Sequence, residues 1–500
     1  MDVRELAARV FMLGFEGEEP DAPIRDFLAR GVRAVILFGR NAADGEAVVR
    51  LTRQLGDAAG RPLVIAADQE GGSVLRFRHG ATLWPSAMGL GRLPVDEVQR
   101  LGRACGDELR AMGVNMNLAP VADLNTPDNP GIGTRSFGAD AASASAAVAA
   151  WTVGLQQAGV AATVKHFPGL GGARADTHLE TTVIASPRAE LARDLAPFHA
   201  AFAAGARAAM TSHAHYAALD PDRPATVSRA VLTDLLRGEL GFGGVMVTDD
   251  LRMGAITAHG DPPEACVQAL EAGADLLLIC RDASVQAASL AAVVRAVEQR
   301  RLPRARLEEA AARVEALVEW TAAQPPPARA LGRLVARHAP LVDGACDRIV
   351  HVLRDRDRLL PLTWHGSDVL LLFPRLEQHT PVEERVSGED ALLDSWCARL
   401  GGATLVRYDP DTVDPERGEL HEQLWRSPRR VLFTAEGHLR PAQRKLIEAA
   451  AQSPRTVLAA LRTPHDADVA PAIGTAVCAY GYLPNALAAL GRTLFGVVNS

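Results

Sequence analysis

The sequence predicts an α/β chain in two parts: a (β/α)8 barrel over residues 1–323, a linker at 324–335 and a smaller C-terminal α/β domain over 336–500. Three observations predict it. Over the first 320 residues, short apolar runs alternate eight times with stretches of helical period. Most of these runs lack clean polar alternation, as strands buried on both faces do. A proline cluster, Gln324-Pro325-Pro326-Pro327, then breaks the pattern before it resumes in a second set of strands.

The runs are Val10–Phe15, Ala34–Phe38, Leu63–Asp68, Val114–Asp123, Val160–Phe167, Ala208–His213, Val245–Asp249 and Asp275–Ile279. Each is too short for a typical helix. Between them the period changes: in Asp96–Gly113, Val98, Leu101, Cys105, Leu109 and Met112 recur three and four apart, with Gly113 as a stop. Eight strand–helix units favour a barrel. A doubly wound sheet is the alternative, but no G-x-G-x-x-G follows an early strand, and Gly71-Gly72 alone is a weak signal. Arg304–Thr321 reads as a closing helix. Beyond the linker, strands are predicted at Val369–Phe373, Thr404–Tyr408, Arg430–Phe433, Thr456–Leu461 and Ala476–Ala479, with a last helix at Pro484–Leu494.

Composition narrows the function. The chain is 48% apolar and 23% charged with a net charge of −7, which excludes disorder and coiled coil and leaves no electrostatic footprint for nucleic acid or anionic membrane. Six cysteines without a C-x-x-C pair read as reduced, mostly buried thiols. The N-terminus has no basic n-region and no apolar run approaches the ~20 residues that span a bilayer, so a cytoplasmic location is expected.

In a barrel, reactive groups sit at the C-terminal ends of strands. Here those ends carry Asp68-Gln69-Glu70, Asp123 with Arg135 in the loop beyond, Lys165-His166, Ser212-His213 and Thr248-Asp249-Asp250. Any one could be a cap or a solvated loop residue; their convergence from at least five strands makes the rim a site. Asp249 stands at the mouth of a buried strand, and Asp250 beside it could cap the next helix while Asp249 reacts. Asp176 and His178 lie two apart in a glycine-rich loop. A carboxylate there would fix the imidazole's tautomer and suit it to general acid/base work. A bare D-x-H carries little by itself. Lys165 and His166, with Asp68, Arg76 and Arg135, form a rim of directional donors and acceptors suited to sugar hydroxyls.

Lys165-His166-Phe167-Pro168-Gly169 followed by Asp176-Thr177-His178 resembles the K-H-F-P-G-H-G-D-T-x-x-D-S-H signature of bacterial β-N-acetylglucosaminidases of glycoside hydrolase family 3. Val247-Thr248-Asp249-Asp250-Leu251, Asp68-Gln69-Glu70-Gly71-Gly72 with Arg76, and Arg135-Ser136-Phe137 resemble further motifs of that family, and the tail around Ala479–Tyr482 is similar to its longer members. The resemblance implies a retaining exo-β-N-acetylglucosaminidase without metal or organic cofactor. Asp249 would be the nucleophile and His178 the acid/base, oriented by Asp176. Asp68, Arg76, Arg135, Lys165 and His166 would bind the sugar. It also implies cell-wall muropeptides or related saccharides as substrate, as the setting of such enzymes. The chain departs from the signature at Leu170, Gly172 and Ala173, where the family has His, Asp and Thr.

Three other readings compete. A β-glucosidase or β-xylosidase of the same family would take its acid/base Glu from the second domain. A catalytically impaired sugar-binding protein would follow from the altered loop. A metal-dependent barrel hydrolase would use His213-Ala214-His215, but that H-x-H follows the wrong strand for such enzymes.

Overall fold

A computed structural model describes residues 1–175, 181–258, 260–325, 329–376, 378, 380–384, 388–453 and 455–496. Its first sheet contains β1 (Phe11–Leu13), β2 (Ala34–Leu37), β3 (Val64–Ala67), β4 (Met116–Asn117), β5 (Ala161–Phe167), β6 (Ala208–Thr211), β7 (Val245–Val247) and β8 (Leu277–Ile279). All pair in parallel in the order β7-β6-β5-β4-β3-β2-β1-β8, and a parallel bridge from Val247 to Leu276 joins the ends into a barrel. Each strand lies within one of the eight apolar runs.

The two-residue period of a strand sorts these side chains. Met12, Ile36, Val64, Ala66, Met210, Val245 and Val247 gather in one buried cluster inside the barrel. Their neighbours Phe11, Leu13, Val35, Ile65 and Met246 pack outward into the helical layer. The closing helix, Arg304–Ala322, lays Val314, Leu317 and Val318 against the interior cluster. Four barrel helices start alike: Asp21, Asp44, Asp140 and Asp261 each accept a hydrogen bond from a backbone N–H three residues on, satisfying a donor the helix leaves orphaned. All described cysteines are free thiols, four of them buried.

A 19-residue helix, Leu331–Ile349, comes next and packs on the barrel helix Val95–Ala111. It begins within the stretch expected as linker, because its amphipathic period starts directly after the prolines. His338 Nδ1 lies 2.9 Å from the buried Glu108 carboxylate across that contact. The second sheet holds β9 (His351–Asp355), β10 (Val369–Pro374), β11 (Thr404–Tyr408), β12 (Arg429–Thr434), β13 (Thr456–Ala460) and β14 (Thr475–Cys478), in the order β9-β14-β13-β12-β10-β11. All pairs are parallel except β9 with β14. Five match the predicted strands; β9 is additional.

The carboxyl edges of the two sheets face each other. Segments leaving β10, β12, β13 and β14 contact the barrel loops that leave β3 and β4: Glu384 meets Arg76, His438 meets Pro127, His465 meets Asn125, and the Tyr480 carbonyl accepts from Ser86. The barrel's reactive face is therefore roofed.

Candidate active site

Six charged side chains form an alternating chain across the rim. Glu384 accepts from Arg76 at 2.8 Å, Arg76 reaches Asp68 at 3.2 Å, and Lys165 Nζ stands 2.6 Å from Asp68 and 2.7 Å from Glu70. Arg135 closes the chain with two bonds to Glu70, 2.8 and 2.9 Å. Burial alone would raise the Asp68 and Glu70 carboxyls. The adjacent cations outweigh it and hold both below the usual carboxylate range. Burial would likewise lower the Lys165 ammonium, but Asp68 and Glu70 push it above its ordinary value, so it is charged.

Beside this chain, Asp123 organises the end of β5. Its carboxylate lies 2.7 Å from His166 Nδ1 and accepts the Leu170 N–H, also at 2.7 Å. Asn129 donates to the Leu170 carbonyl at 2.7 Å, and Thr126 to the Gly171 carbonyl at 2.7 Å. Leu170 and Ala173 are themselves buried. Where the family's signature has polar residues, this loop is tied down by hydrogen bonds between its main chain and the Asp123, Asn129 and Thr126 side chains, and by apolar burial. Gly171 is required there, since a Cβ would lie 2.4 Å from the Leu124 carbonyl oxygen.

At the end of β7 the Asp249 carboxylate accepts the Asp250 N–H at 2.8 Å. Asp250 does not cap the following short helix; it accepts the N–H groups of Arg252 and Cys280 and so braces the turn that presents Asp249. Burial raises the Asp250 carboxyl. His213 supports the same turn, its Nε2 3.1 Å from the Asp250 carbonyl and its Nδ1 2.6 Å from Thr226. Among the described residues no group of three or more His, Cys, Asp or Glu is arranged to hold a metal ion.

Asp68, Arg76, Arg135, Lys165, His166 and Asp249 all line one cavity of about 460 Å³. Asp176 and His178 lie outside the described residues. The cavity is also lined by Gln378, Pro381, Val382, Glu383 and Glu384 from the second domain, which nothing in the sequence pointed to. Glu70 and Asp123 do not line it; they stand behind Arg135, Lys165 and His166. Their positions at strand ends were the available signal.

The model of the glycosyl hydrolase family 3 N terminal domain matches residues 12–317. The chain belongs to glycosyl hydrolase family 3. This family 3 chain is 41% identical over 282 residues to a β-hexosaminidase of Stenotrophomonas maltophilia (strain K279a), spanning 54% of this chain and 83% of that one. It superposes on the structure of a glycoside hydrolase family 3 β-N-acetylglucosaminidase from Paenibacillus sp. str. FPU-7 with a TM-score of 0.89 at 32% identity, covering 99% and 97% of the two chains. A β-N-acetylhexosaminidase from Beutenbergia cavernae DSM 12333 matches at 34% identity and a TM-score of 0.60, covering 64% of this chain and 99% of that shorter one.

Proposed function

We propose that the cavity removes terminal β-linked N-acetylglucosamine from cell-wall muropeptides or related saccharides, in the cytoplasm, with retention of anomeric configuration. Family membership and the hexosaminidase relatives make the chain a glycoside hydrolase of the β-N-acetylhexosaminidase kind. The observation that carries the finer reading is that five candidate sugar-binding side chains and the candidate nucleophile, from four different strands, share one cavity.

In this reading the charge chain from Arg76 to Arg135 binds the sugar's hydroxyls through fixed, ionised partners that need no reorganisation as the reaction proceeds. Asp249, held by the Asp250–Arg252 turn, attacks the anomeric carbon and forms a covalent glycosyl ester. His178, oriented by Asp176, protonates the departing oxygen and later takes the proton from the attacking water. The ring is imidazolium before it protonates the leaving oxygen and neutral imidazole when it takes the proton of water. In neither state does it bring the anionic Asp249 the like-charge penalty of a second carboxylate.

The presence of Glu383 and Glu384 over the cavity raises a second reading, in which a carboxylate from the second domain donates the proton, as in β-glucosidases. Their bonding disfavours it. Glu384 is committed to Arg76 on the β3 side of the barrel, and Glu383 is bound to Arg462 at 2.6 Å.

The test is nitrophenol release from the β-N-acetylglucosaminide and the β-glucoside. Wild-type protein is expected to turn over the N-acetyl sugar alone, and Asp249→Asn to lose about three orders of magnitude or more while keeping its unfolding midpoint. No turnover by folded wild type would favour the sugar-binding protein.

A further inference from the structure

We infer that Glu384 of the second domain, together with Arg76 and Gly39, walls off the far end of the sugar cavity and thereby confines hydrolysis to chain-terminal sugars. The inference rests on the reading of the cavity as a hexosaminidase site and names the residue that sets its mode of attack.

The ring of strands supplies the first observation. In the order β7-β6-β5-β4-β3-β2-β1-β8, β3 lies four positions from β7 in a closed ring of eight, directly across the barrel. Asp249 leaves β7, whereas Asp68 and Arg76 come after β3. In a pyranose, C1 and C4 are opposite corners. A sugar whose anomeric carbon faces Asp249 therefore turns its C4 hydroxyl toward Asp68 and Arg76.

The second observation is the space behind Arg76. A separate cleft of about 250 Å³, lined by Asp44, Arg78 and His79 among others, abuts the sugar cavity, and Gly39, Arg76 and Glu384 line both. These three residues are the partition. Arg76 is fixed in it by Asp68 on one side and by Glu384 and the Val382 carbonyl, each 2.8 Å away, on the other. Glu384 is fixed by Arg76 and by its own N–H, which donates to the Ser73 carbonyl at 3.1 Å. A Cβ added at Gly39 would lie 3.6 Å from both Glu384 carboxylate oxygens, so a single methyl would fill the remaining gap. The segment is anchored at its root by Glu383, Arg462 and Glu436, with contacts of 2.6 and 3.0 Å.

A substituent on the C4 oxygen would have to pass through this partition. Residues from β2, β3 and the second domain close it, so a sugar that continues at C4 cannot seat its anomeric carbon at Asp249. Removal of the Glu384 side chain joins the two spaces and leaves Arg76 held by Asp68 and the Val382 carbonyl alone.

The readout is a ratio: kcat/KM for the nitrophenyl glycoside of 4-O-galactosyl-N-acetylglucosamine over that for the unsubstituted nitrophenyl β-N-acetylglucosaminide. Wild-type protein is expected to release nitrophenol only from the unsubstituted compound. Glu384→Ala is expected to raise the ratio by about tenfold or more. Glu384→Gln, which keeps the bulk and an acceptor for Arg76, is expected to leave it at the wild-type value. An unchanged ratio in Glu384→Ala, or comparable wild-type turnover of both glycosides, overturns the wall. Inhibition of the wild-type protein provides a check that needs no variant. The wall predicts inhibition by N-acetylglucosamine and none by its 4-O-galactosyl derivative, and equal inhibition overturns it. Absence of wild-type turnover of the unsubstituted glycoside overturns the hexosaminidase reading beneath it, which is a distinguishable failure.

Discussion

Lys165 holds two carboxylates within 2.7 Å of one ammonium, and that placement sets how pH acts on the site. Burial is outweighed at Asp68 and Glu70, whose folded-state acidities are stronger than in an unfolded chain. Groups depressed in this sense contribute stability above their unfolded value, about 4. They lose it as pH falls through the lower folded values. The contribution of these two groups should therefore be constant through neutrality, and urea unfolding midpoints should decline below about pH 4. Glu70→Gln strips Arg135 of a bidentate anion and should cost about 3 kcal/mol at pH 7, with the gap from wild type narrowing in acid. A gap that stayed constant down to pH 3 would show that Glu70 stabilises by shape and not by charge. His178 has a graded signature. His178→Ala should slow a poor alkyl or sugar leaving group by about 10² to 10⁴, and a dinitrophenyl leaving group far less, because the missing proton matters least there. Equal losses on both would remove His178 from proton transfer.

The loop after β5 precedes the segment that carries Asp176 and His178, and its docking depends on one small residue. Gly171 lies against the Leu124 carbonyl so closely that Gly171→Ala must lift the loop. The expected result is a fall in kcat/KM of about tenfold or more with little change in unfolding midpoint, since misplacing a proton donor by an ångström costs rate before stability. Unaltered kinetics would mean that the loop's docking does not position the chemistry. At this scale the sequence was readable wherever burial wrote a pattern. The eight barrel strands are continuous apolar runs because both of their faces are covered. β9 escaped because it is an antiparallel edge strand, His351-Val352-Leu353-Arg354-Asp355, with no such run. The Leu331–Ile349 helix hid behind the prolines that precede it. The rim residues could be found because strand ends locate them. Glu384 could not, since a residue brought to the barrel by a second domain leaves no local spacing to read.

The two domains meet edge to edge, and the site is complete only while they stay docked. Part of that docking is a hydrogen bond across the domains, from a histidine whose charge is held by a carboxylate of its own domain. His438 Nδ1 lies 2.7 Å from Asp466, and its Nε2 lies 3.1 Å from the Pro127 carbonyl in the barrel loop that also bears Arg135. Burial would lower this imidazole, but Asp466, with Glu436 and the Pro127 carbonyl, raises it above its ordinary value. The neighbouring His465, 5.3 Å away between ring centres, is lowered by its own burial and by His438, so the charge rests on His438. A raised imidazole contributes stability fully below its unfolded value of about 6.5. It loses that contribution as pH climbs through the higher folded value. The barrel loop 125–138 should thus be best protected from amide exchange near pH 6 and progressively less so toward pH 9, once intrinsic exchange rates are divided out. Asp466→Asn should reduce protection at pH 6 and flatten the dependence, and KM for the nitrophenyl glycoside should rise with it, because Arg135 shares that loop. Protection that ignored both pH and the substitution would show that apolar packing along the Leu331–Ile349 helix holds the domains together without help from this pair.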